Sequence, residues 1–148
     1  MQQSGPEPIR ITTDANVQMA FACENFSTDP MQRVTFHNIV EQLNAPQFPI
    51  QTGLLYVVFG FQRSLPGFLV QCKVEIVPPT GEPVASQSLQ DLAFRPDQMG
   101  QRAIVGFQGT VWPMPGQYTV RFASRDKTVA SFVLTVAQVQ PQAPPAAR

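Results

Sequence analysis

The side chains that could carry out acid–base or metal chemistry are few in this chain. His37 is the single histidine, so a metal site built from several histidines is excluded. Cys23 and Cys72 are the two cysteines, and two isolated thiols cannot form a four-cysteine zinc site. The sequence contains no glycine-rich phosphate loop and no Gly-x-Gly-x-x-Gly dinucleotide motif. We therefore predict neither a metal site nor a bound cofactor.

His37 has two candidate neighbours in sequence, and the local structure decides which of them it can act with. In a strand, His37 and Asn38 point to opposite faces, whereas in a helix His37 and Glu41 share one face. A serine–histidine–aspartate triad through His37 stays open, because triad members meet in space rather than in sequence. The favoured interpretation is a polar cluster near a loop that hydrogen-bonds the backbone. We expect no catalytic residue and no enzyme activity, with a hydrolase as the alternative.

Two aromatic residues beside prolines are further candidates for binding. Phe48 and Trp112 each precede a proline at the expected end of a strand. If exposed, they would form a patch that stacks on a sugar or contacts a protein partner. If buried, they would close the end of the core, which is the favoured interpretation. Phe48, Trp112 and His37 are the candidate binding residues, and Tyr56 adds to the case for a ligand site.

The strands that must position these residues are clearest in the last third of the chain. Tyr118, Val120 and Phe122 alternate with polar residues, which is the period of a half-buried strand. A second alternating run covers Ala130–Val136, and residues 125–127 join the two runs as a tight turn. This pattern predicts the closing hairpin of an antiparallel β-domain.

A proline-rich corner precedes that hairpin. Pro113 and Pro115 lack the amide hydrogen that a strand ladder needs, and Gly116 can adopt a positive φ. The Gly-x-Tyr sequence ending at Tyr118 resembles the tyrosine corner of immunoglobulin-like domains, whose tyrosine hydroxyl bonds backbone a few residues upstream. Trp112 follows both cysteines, however, so the Cys–Trp–Cys order of antibody domains is absent.

Two earlier segments also predict strands. Leu54–Phe61 is almost wholly apolar, which indicates a central strand covered on both faces. Residues 70–76 alternate between apolar and polar types, so we expect Val74 to face the core and Lys73 and Glu75 to face water.

The N-terminal half contains one clear strand and one ambiguous segment. Residues 17–23 alternate, and we expect the phase that includes Cys23 to point inward. Residues 32–43 fit both a strand and helical spacing, and their β-branched residues favour a strand. In total, about eight strands predict an all-β fold, an antiparallel β-sandwich of immunoglobulin-like type.

Length and composition predict one domain with loose ends. The 148-residue chain is expected to have a flexible N-terminal arm over residues 1–12, a β-sandwich domain over residues 13–137 and a disordered Pro-rich tail over residues 138–148. The first residues lack the basic and apolar regions of a signal peptide, and no apolar run reaches about 18 residues. We therefore expect a cytoplasmic protein with no membrane segment, in which Cys23 and Cys72 are buried and reduced.

The charge of the chain bears on its partners. Charged residues make up 14% of the sequence, and the formal net charge is zero. The basic residues are scattered, so the sequence does not predict a nucleic-acid-binding patch. A weakly charged surface favours packing against a protein partner over electrostatic steering.

The order of these segments resembles that of a known family. The segments that carry the resemblance are Asp29-Pro30 through Glu41, Pro46–Pro49, the apolar strand from Leu54, Val74–Gly81, and Pro115–Tyr118. Over residues 15–137, they resemble a bacterial family of proteins annotated only with a domain of unknown function. The resemblance implies a small β-sandwich and brings no assigned activity or site residues.

The absence of catalytic motifs and the low charge favour one class of function. We expect a non-catalytic cytoplasmic module that binds another protein, associates with itself or has a structural role. The alternative is a small-ligand or carbohydrate-binding module, which requires an exposed aromatic platform.

Overall fold

The computed structural model describes residues 16–63 and 66–140 of the chain. Within these ranges the chain forms thirteen β-strands and no helix, which confirms the predicted all-β class. The strands are β1 (Asn16–Thr28), β2 (Val34–Val40), β3 (Gln42–Ala45), β4 (Ile50–Gln51), β5 (Leu55–Gln62), β6 (Gly67–Leu69), β7 (Cys72–Val77), β8 (Ala85–Leu89), β9 (Leu92–Phe94), β10 (Gly100–Phe107), β11 (Val111–Trp112), β12 (Gly116–Ser124) and β13 (Lys127–Gln138). The described ranges contain no helix that could cross a membrane.

Most strands belong to two sheets. The four-stranded sheet has the order β10-β5-β1-β2, and the five-stranded sheet has the order β3-β13-β12-β7-β8. Neighbouring strands in them are antiparallel, except that β3 runs parallel to β13. Two small sheets pair β4 with β11 and β6 with β9. Because Glu41 alone separates β2 from β3, the chain passes from one large sheet to the other at that residue.

The two large sheets share one hydrophobic core. Phe59 and Phe61 of β5 point into it, and their ring centroids lie 5.6 and 4.9 Å from that of Phe122 on β12. Each large side chain that is removed from water in this way stabilises the fold by about 1.5–3 kcal/mol. The strand β5 lies between β10 and β1, so residues 55–61 form a central strand, as predicted. Leu54 lies just before that strand and is 46% exposed, so the predicted cover on both faces does not extend to it.

The predicted corner ahead of β12 is present. The Tyr118 hydroxyl donates to the carbonyl oxygen of Met114 at 2.7 Å and accepts from the Met114 amide at 3.3 Å. Gly116 has a φ of 142°, and a Cβ atom there would lie 2.6 Å from Cγ of Pro79. Glycine is therefore required at this position both by the backbone conformation and by the close approach of the proline.

The turn of the closing hairpin is also as tight as predicted. Ser124 pairs with Lys127, which leaves a two-residue loop between β12 and β13. Arg125 and Asp126 in that loop have φ values of 52° and 64°. Two positive φ angles are the mark of a type I′ turn, whose twist matches that of the flanking strands.

The number of strands differs from the prediction. Several strands are only two or three residues long, which is too short to show a period in the sequence. Most of the segment 32–43 is strand, as favoured, but it is divided at Glu41 between β2 and β3, and Asn38 has a φ of 56°. Residues 84–94 likewise divide into β8 and β9, which belong to different sheets.

The phase predicted for β1 is wrong. Ala20 and Ala22 face the core, whereas Cys23 pairs with Tyr56 on the opposite side of the sheet. The aromatic rings of β5 and β12 fill the shared core, so only small side chains of β1 fit there. The larger residues of β1 consequently point away from the core.

Both cysteines are buried and free, as predicted. Burial raises the pKa of the Cys72 thiol to about 11, and burial also raises the pKa of Cys23. The Cys72 Sγ lies 3.2 Å from the carbonyl oxygen of Leu69, to which it donates. Both are therefore poor nucleophiles in the folded state.

The expected ends of the domain fall near the limits of the description. The expected arm, residues 1–12, and residues 141–148 of the expected tail lie outside the described residues. The strand β13 extends to Gln138, which the prediction assigned to the tail. The amide of Val139 donates to the carbonyl oxygen of Ala45 at 2.9 Å, so this part of the chain is paired with the sheet.

Candidate functional site

His37 meets one other polar side chain. Its Nε2 lies 3.1 Å from Oγ of Ser27 on β1, and both residues are exposed. The expected backbone hydrogen bond is thus replaced by a bond to a serine hydroxyl. Residues 34–40 form a strand, so His37 and Glu41 do not form a helical pair. Among the described residues, no carboxylate hydrogen-bonds the imidazole, and a triad needs such a group to orient its histidine.

The two aromatic candidates lie at one end of the core. Trp112 is fully buried, and its Nε1 donates to Oγ1 of Thr52 at 3.0 Å. Its ring packs edge-on against Tyr118 with centroids 5.0 Å apart. Phe48 is half-buried and packs against the same core. Trp112 therefore has no free ring face for a ligand, and His37, on β2, is not brought together with these two residues.

A different surface emerges on the four-stranded sheet, on the side that points away from the five-stranded sheet; we call it the outer face. Alternate residues of β5 point into the core, so Tyr56, Val58 and Gly60 lie on the outer face. Their ladder partners on β1 and β10, with Ile39 on β2, extend this face across the sheet. The ladder places on the outer face Met19, Phe21, Cys23, Ile39, Tyr56, Val58, Gly60, Arg102, Ile104 and Gly106. Contacts with these residues add Phe26, Phe36 and Leu54 to the outer face.

Aromatic rings give the outer face an apolar cluster of its own. Phe21 packs edge-on against Phe36 with centroids 4.9 Å apart, and Phe26 packs edge-on against Tyr56 at 5.0 Å. All four rings are half-buried, so part of each remains in contact with water. Such edge-to-face pairs hold the rings in fixed positions and contribute about 0.5–1.5 kcal/mol each beyond their burial.

Aliphatic side chains extend this cluster into solvent. Ile39 is 58% exposed and Leu54, just before β5, is 46% exposed. A groove of about 280 Å³ runs beside Ile39 and Phe21 towards Phe132 and Val133 of β13. Val133 is itself 54% exposed, so apolar surface continues around the edge of the sheet.

Two glycines keep the outer face low in relief. A Cβ atom on Gly60 would lie 2.6 Å from Cγ of Met19, and one on Gly106 would lie 3.2 Å from both Leu54 and Tyr56. The larger side chains therefore lie across the glycines instead of standing up from the sheet. Side chains that lie low in this way leave few projections between the sheet and a surface that covers it.

Two opposite charges lie at opposite sides of the outer face. Arg102 is exposed on β10, beside Met19 and Gly60, and Glu41 is exposed at the end of β2, beside Ile39. Neither side chain forms a hydrogen bond or ion pair with the residues that the structure describes. Within the described part of the chain, both charged groups thus remain available to a partner.

The far side of the five-stranded sheet differs, because its charges are satisfied internally. Arg121 donates to Glu75 at 2.6 Å and to Thr128 at 3.0 Å, and Lys73 Nζ lies 3.0 Å from a carboxylate oxygen of Asp126. Hydrogen bonding to Asp126 is the main cause that raises the pKa of Lys73. Glu75, predicted to face water, is only 8% exposed because this network covers it. The network accounts for these charges without a ligand.

Sequence reasoning missed the outer face although its signal was present. Met19, Phe21 and Cys23 alternate with Ala20 and Ala22, so one phase of β1 is bulky and the other is small. An alternating strand usually turns its bulky residues towards the core, which is why the sequence predicts that Cys23 and its phase point inward. A core already filled by the rings of β5 and β12 reverses that assignment.

Comparison with known proteins supplies a family. No curated protein matches the chain. Residues 18–137 match the model of DUF6941, described as a family of unknown function. The match covers every strand except for the first two residues of β1 and the last residue of β13. This match confirms the resemblance to a domain of unknown function inferred from the sequence. The chain therefore belongs to the family of unknown function DUF6941.

Proposed function

We propose that this chain is a non-catalytic protein-interaction module, bacterial and cytoplasmic, which binds its partner through the outer face of the four-stranded sheet. The observation that carries the proposal is the exposure of Ile39 and Leu54 beside a cluster of half-buried rings. Contiguous apolar surface with a polar or charged margin is typical of protein interaction sites. Arg102 and Glu41 form such a margin.

The affinity expected of this surface follows from its exposed side chains. Complete burial of an isoleucine or leucine is worth about 1.5–3 kcal/mol, so the exposed fractions of Ile39 and Leu54 offer roughly 1 kcal/mol each. The exposed parts of the rings and of Ile104 add further area. After the entropic cost of association, a complex with a dissociation constant on the order of micromolar is expected.

The overall arrangement that we propose is a β-sandwich of immunoglobulin-like type. The shared core of the two large sheets and the hydrogen-bonded corner at Tyr118 support it. In a two-layer fold, each sheet uses one face for the core and leaves the other for solvent or for partners. An apolar second face is then available for binding at no cost to the core.

Site-specific photo-crosslinking tests the proposal. A diazirine amino acid replaces Ile39 in one version of the full chain and Thr119, exposed on the five-stranded sheet, in a matched control. After irradiation in cells of the source organism, the proposal expects a discrete adduct with a protein chain from position 39 and none from position 119. Equal adducts from both positions, or no adduct from position 39, would contradict it.

A further inference from the structure

We infer that the outer face binds the outer face of a second copy of this chain, so that the partner in the proposed interaction is the protein itself in a two-fold symmetric dimer. This inference rests on the proposed function, and it goes further by naming the partner. The observation behind it is the placement of the two available charges, Arg102 and Glu41, at opposite sides of one apolar surface.

The order of the strands sets the distance between these charges. Arg102 lies on β10 and Glu41 at the end of β2, the two edge strands of the four-stranded sheet. Three strand spacings separate the edges, which is about 14 Å. Arg102 lies in the same row of the sheet as Met19, and Glu41 lies close to Phe21 in the next row.

A two-fold axis that runs along the strands, between β1 and β5, brings the two charges together. It places β10 of one copy over β2 of the other, with Arg102 one row, about 7 Å along the strand, from Glu41 of the partner subunit. The long arginine side chain can span that offset to reach the carboxylate. The symmetry repeats the contact, because a residue pair in an isologous interface always occurs twice. Each subunit therefore contributes one cation and one anion, and the net charge of zero adds no overall repulsion.

The low relief of the outer face suits this arrangement. Gly60 and Gly106 let Met19, Leu54 and Tyr56 lie flat, so two copies of the surface can approach closely. Four strands of about six residues give a face on the order of 400 Å² in projection, which is about half of what a standard interface buries on each partner. The dimer should therefore dissociate on dilution through the micromolar range.

Sedimentation velocity on the full chain tests the dimer from about 1 to 200 µM. We expect a monomer–dimer equilibrium for the parent and a monomer for Ile39→Glu throughout this range. Arg102→Glu and Glu41→Arg should each raise the dissociation constant by about tenfold or more, because each puts like charges opposite each other twice. Thr119→Glu, on the exposed side of the other sheet, is the matched control and should leave the equilibrium unchanged.

The charge-reversed double variant is the decisive arm. Arg102→Glu combined with Glu41→Arg exchanges the two charges and should restore the parent dissociation constant, which a merely structural role would not do. A parent that stays monomeric at the highest concentration overturns the inference, and so does a double variant as weak as the single ones. An adduct from position 39 to a different protein would also overturn it while leaving the proposed function intact. An adduct to residues 1–15 of the same chain would overturn both.

Discussion

Replacing Tyr118 with phenylalanine removes one hydroxyl from the corner ahead of β12. That hydroxyl donates to the Met114 carbonyl at 2.7 Å and accepts from the Met114 amide at 3.3 Å. The ring keeps its edge-on contact with Trp112, at a centroid distance of 5.0 Å. The substitution therefore separates the two hydrogen bonds from the packing of the ring.

The expected loss in the free energy of unfolding is about 1–2 kcal/mol. Met114 would keep an amide and a carbonyl whose partner has gone, and a polar group without a partner costs more than a bond contributes. For a chain of 148 residues, each 1 kcal/mol lowers Tm by roughly 2–4 °C. Tyr118→Ala should cost about 3–5 kcal/mol, because this fully buried ring leaves a cavity.

Urea titration followed by tryptophan fluorescence measures both losses. Trp112 is the single tryptophan and is fully buried, so its emission reports directly on this corner. Tyr56→Phe is the matched control, because the Tyr56 hydroxyl has no hydrogen bond among the described residues; it should change stability by less than about 0.5 kcal/mol. If Tyr118→Phe is as stable as this control, the hydroxyl does not stabilise the corner and the reasoning fails.

Four further predictions concern the core and the charged network. Cys72 should react slowly with a thiol reagent in the native state and rapidly in urea, since burial raises its pKa to about 11. The folded state favours the neutral Cys72 thiol, so this stabilisation should be complete below a pH of about 9 and should be lost as the pH rises through about 11. Thermal melts over a series of alkaline pH values should therefore show Tm falling as the pH rises. Val74→Asp should abolish soluble expression by burying an unpaired charge, whereas Lys73→Gln on the other face should leave Tm nearly unchanged; equal losses would mean that the strand phase is wrong. Arg121→Met should cost about 2–4 kcal/mol by leaving Glu75 without its main partner, and adding Glu75→Met should recover most of that loss in a urea titration; a double variant no more stable than the single one would count against this.

The corner and the closing hairpin could be predicted because their causes are local. Gly116 and Tyr118 are separated by one residue, and the bond partner Met114 lies only four residues upstream. The turn at residues 125–126 joins two strands whose alternation is regular. In each case the interacting groups lie within the short range over which sequence patterns carry information.

Burial of Glu75 could not be predicted from its own strand. The alternation of β7 correctly assigns Glu75 to the face opposite Val74, but exposure of that face depends on the neighbouring strand. Arg121, 46 residues later, extends over the carboxylate and removes it from water. Such pairing follows from the order of strands in the sheet, and the order is decided by contacts across the whole chain.

Contacts between strands that are distant in sequence also explain why the sequence predicts a site at Phe48 and Trp112, whereas the structure favours the outer face. Period-two alternation shows that β1 has two different faces, and it does not show which face meets the second sheet. The rings of β5 and β12 decide this, because they fill the core and leave room there for Ala20 and Ala22.

This reversal links the fold to the proposed function. With alanines towards the core, the bulky residues of β1 must point to the outer face, where Gly60 lies beside Met19 and leaves space for it. On the outer face, the small side chain of Cys23 is fully buried beneath its neighbours. The larger side chain of Ile39, in contrast, remains 58% exposed. The exposed apolar surface is therefore a consequence of how the large side chains are divided between the core and the outer face. It is removed from water only when a second surface covers it.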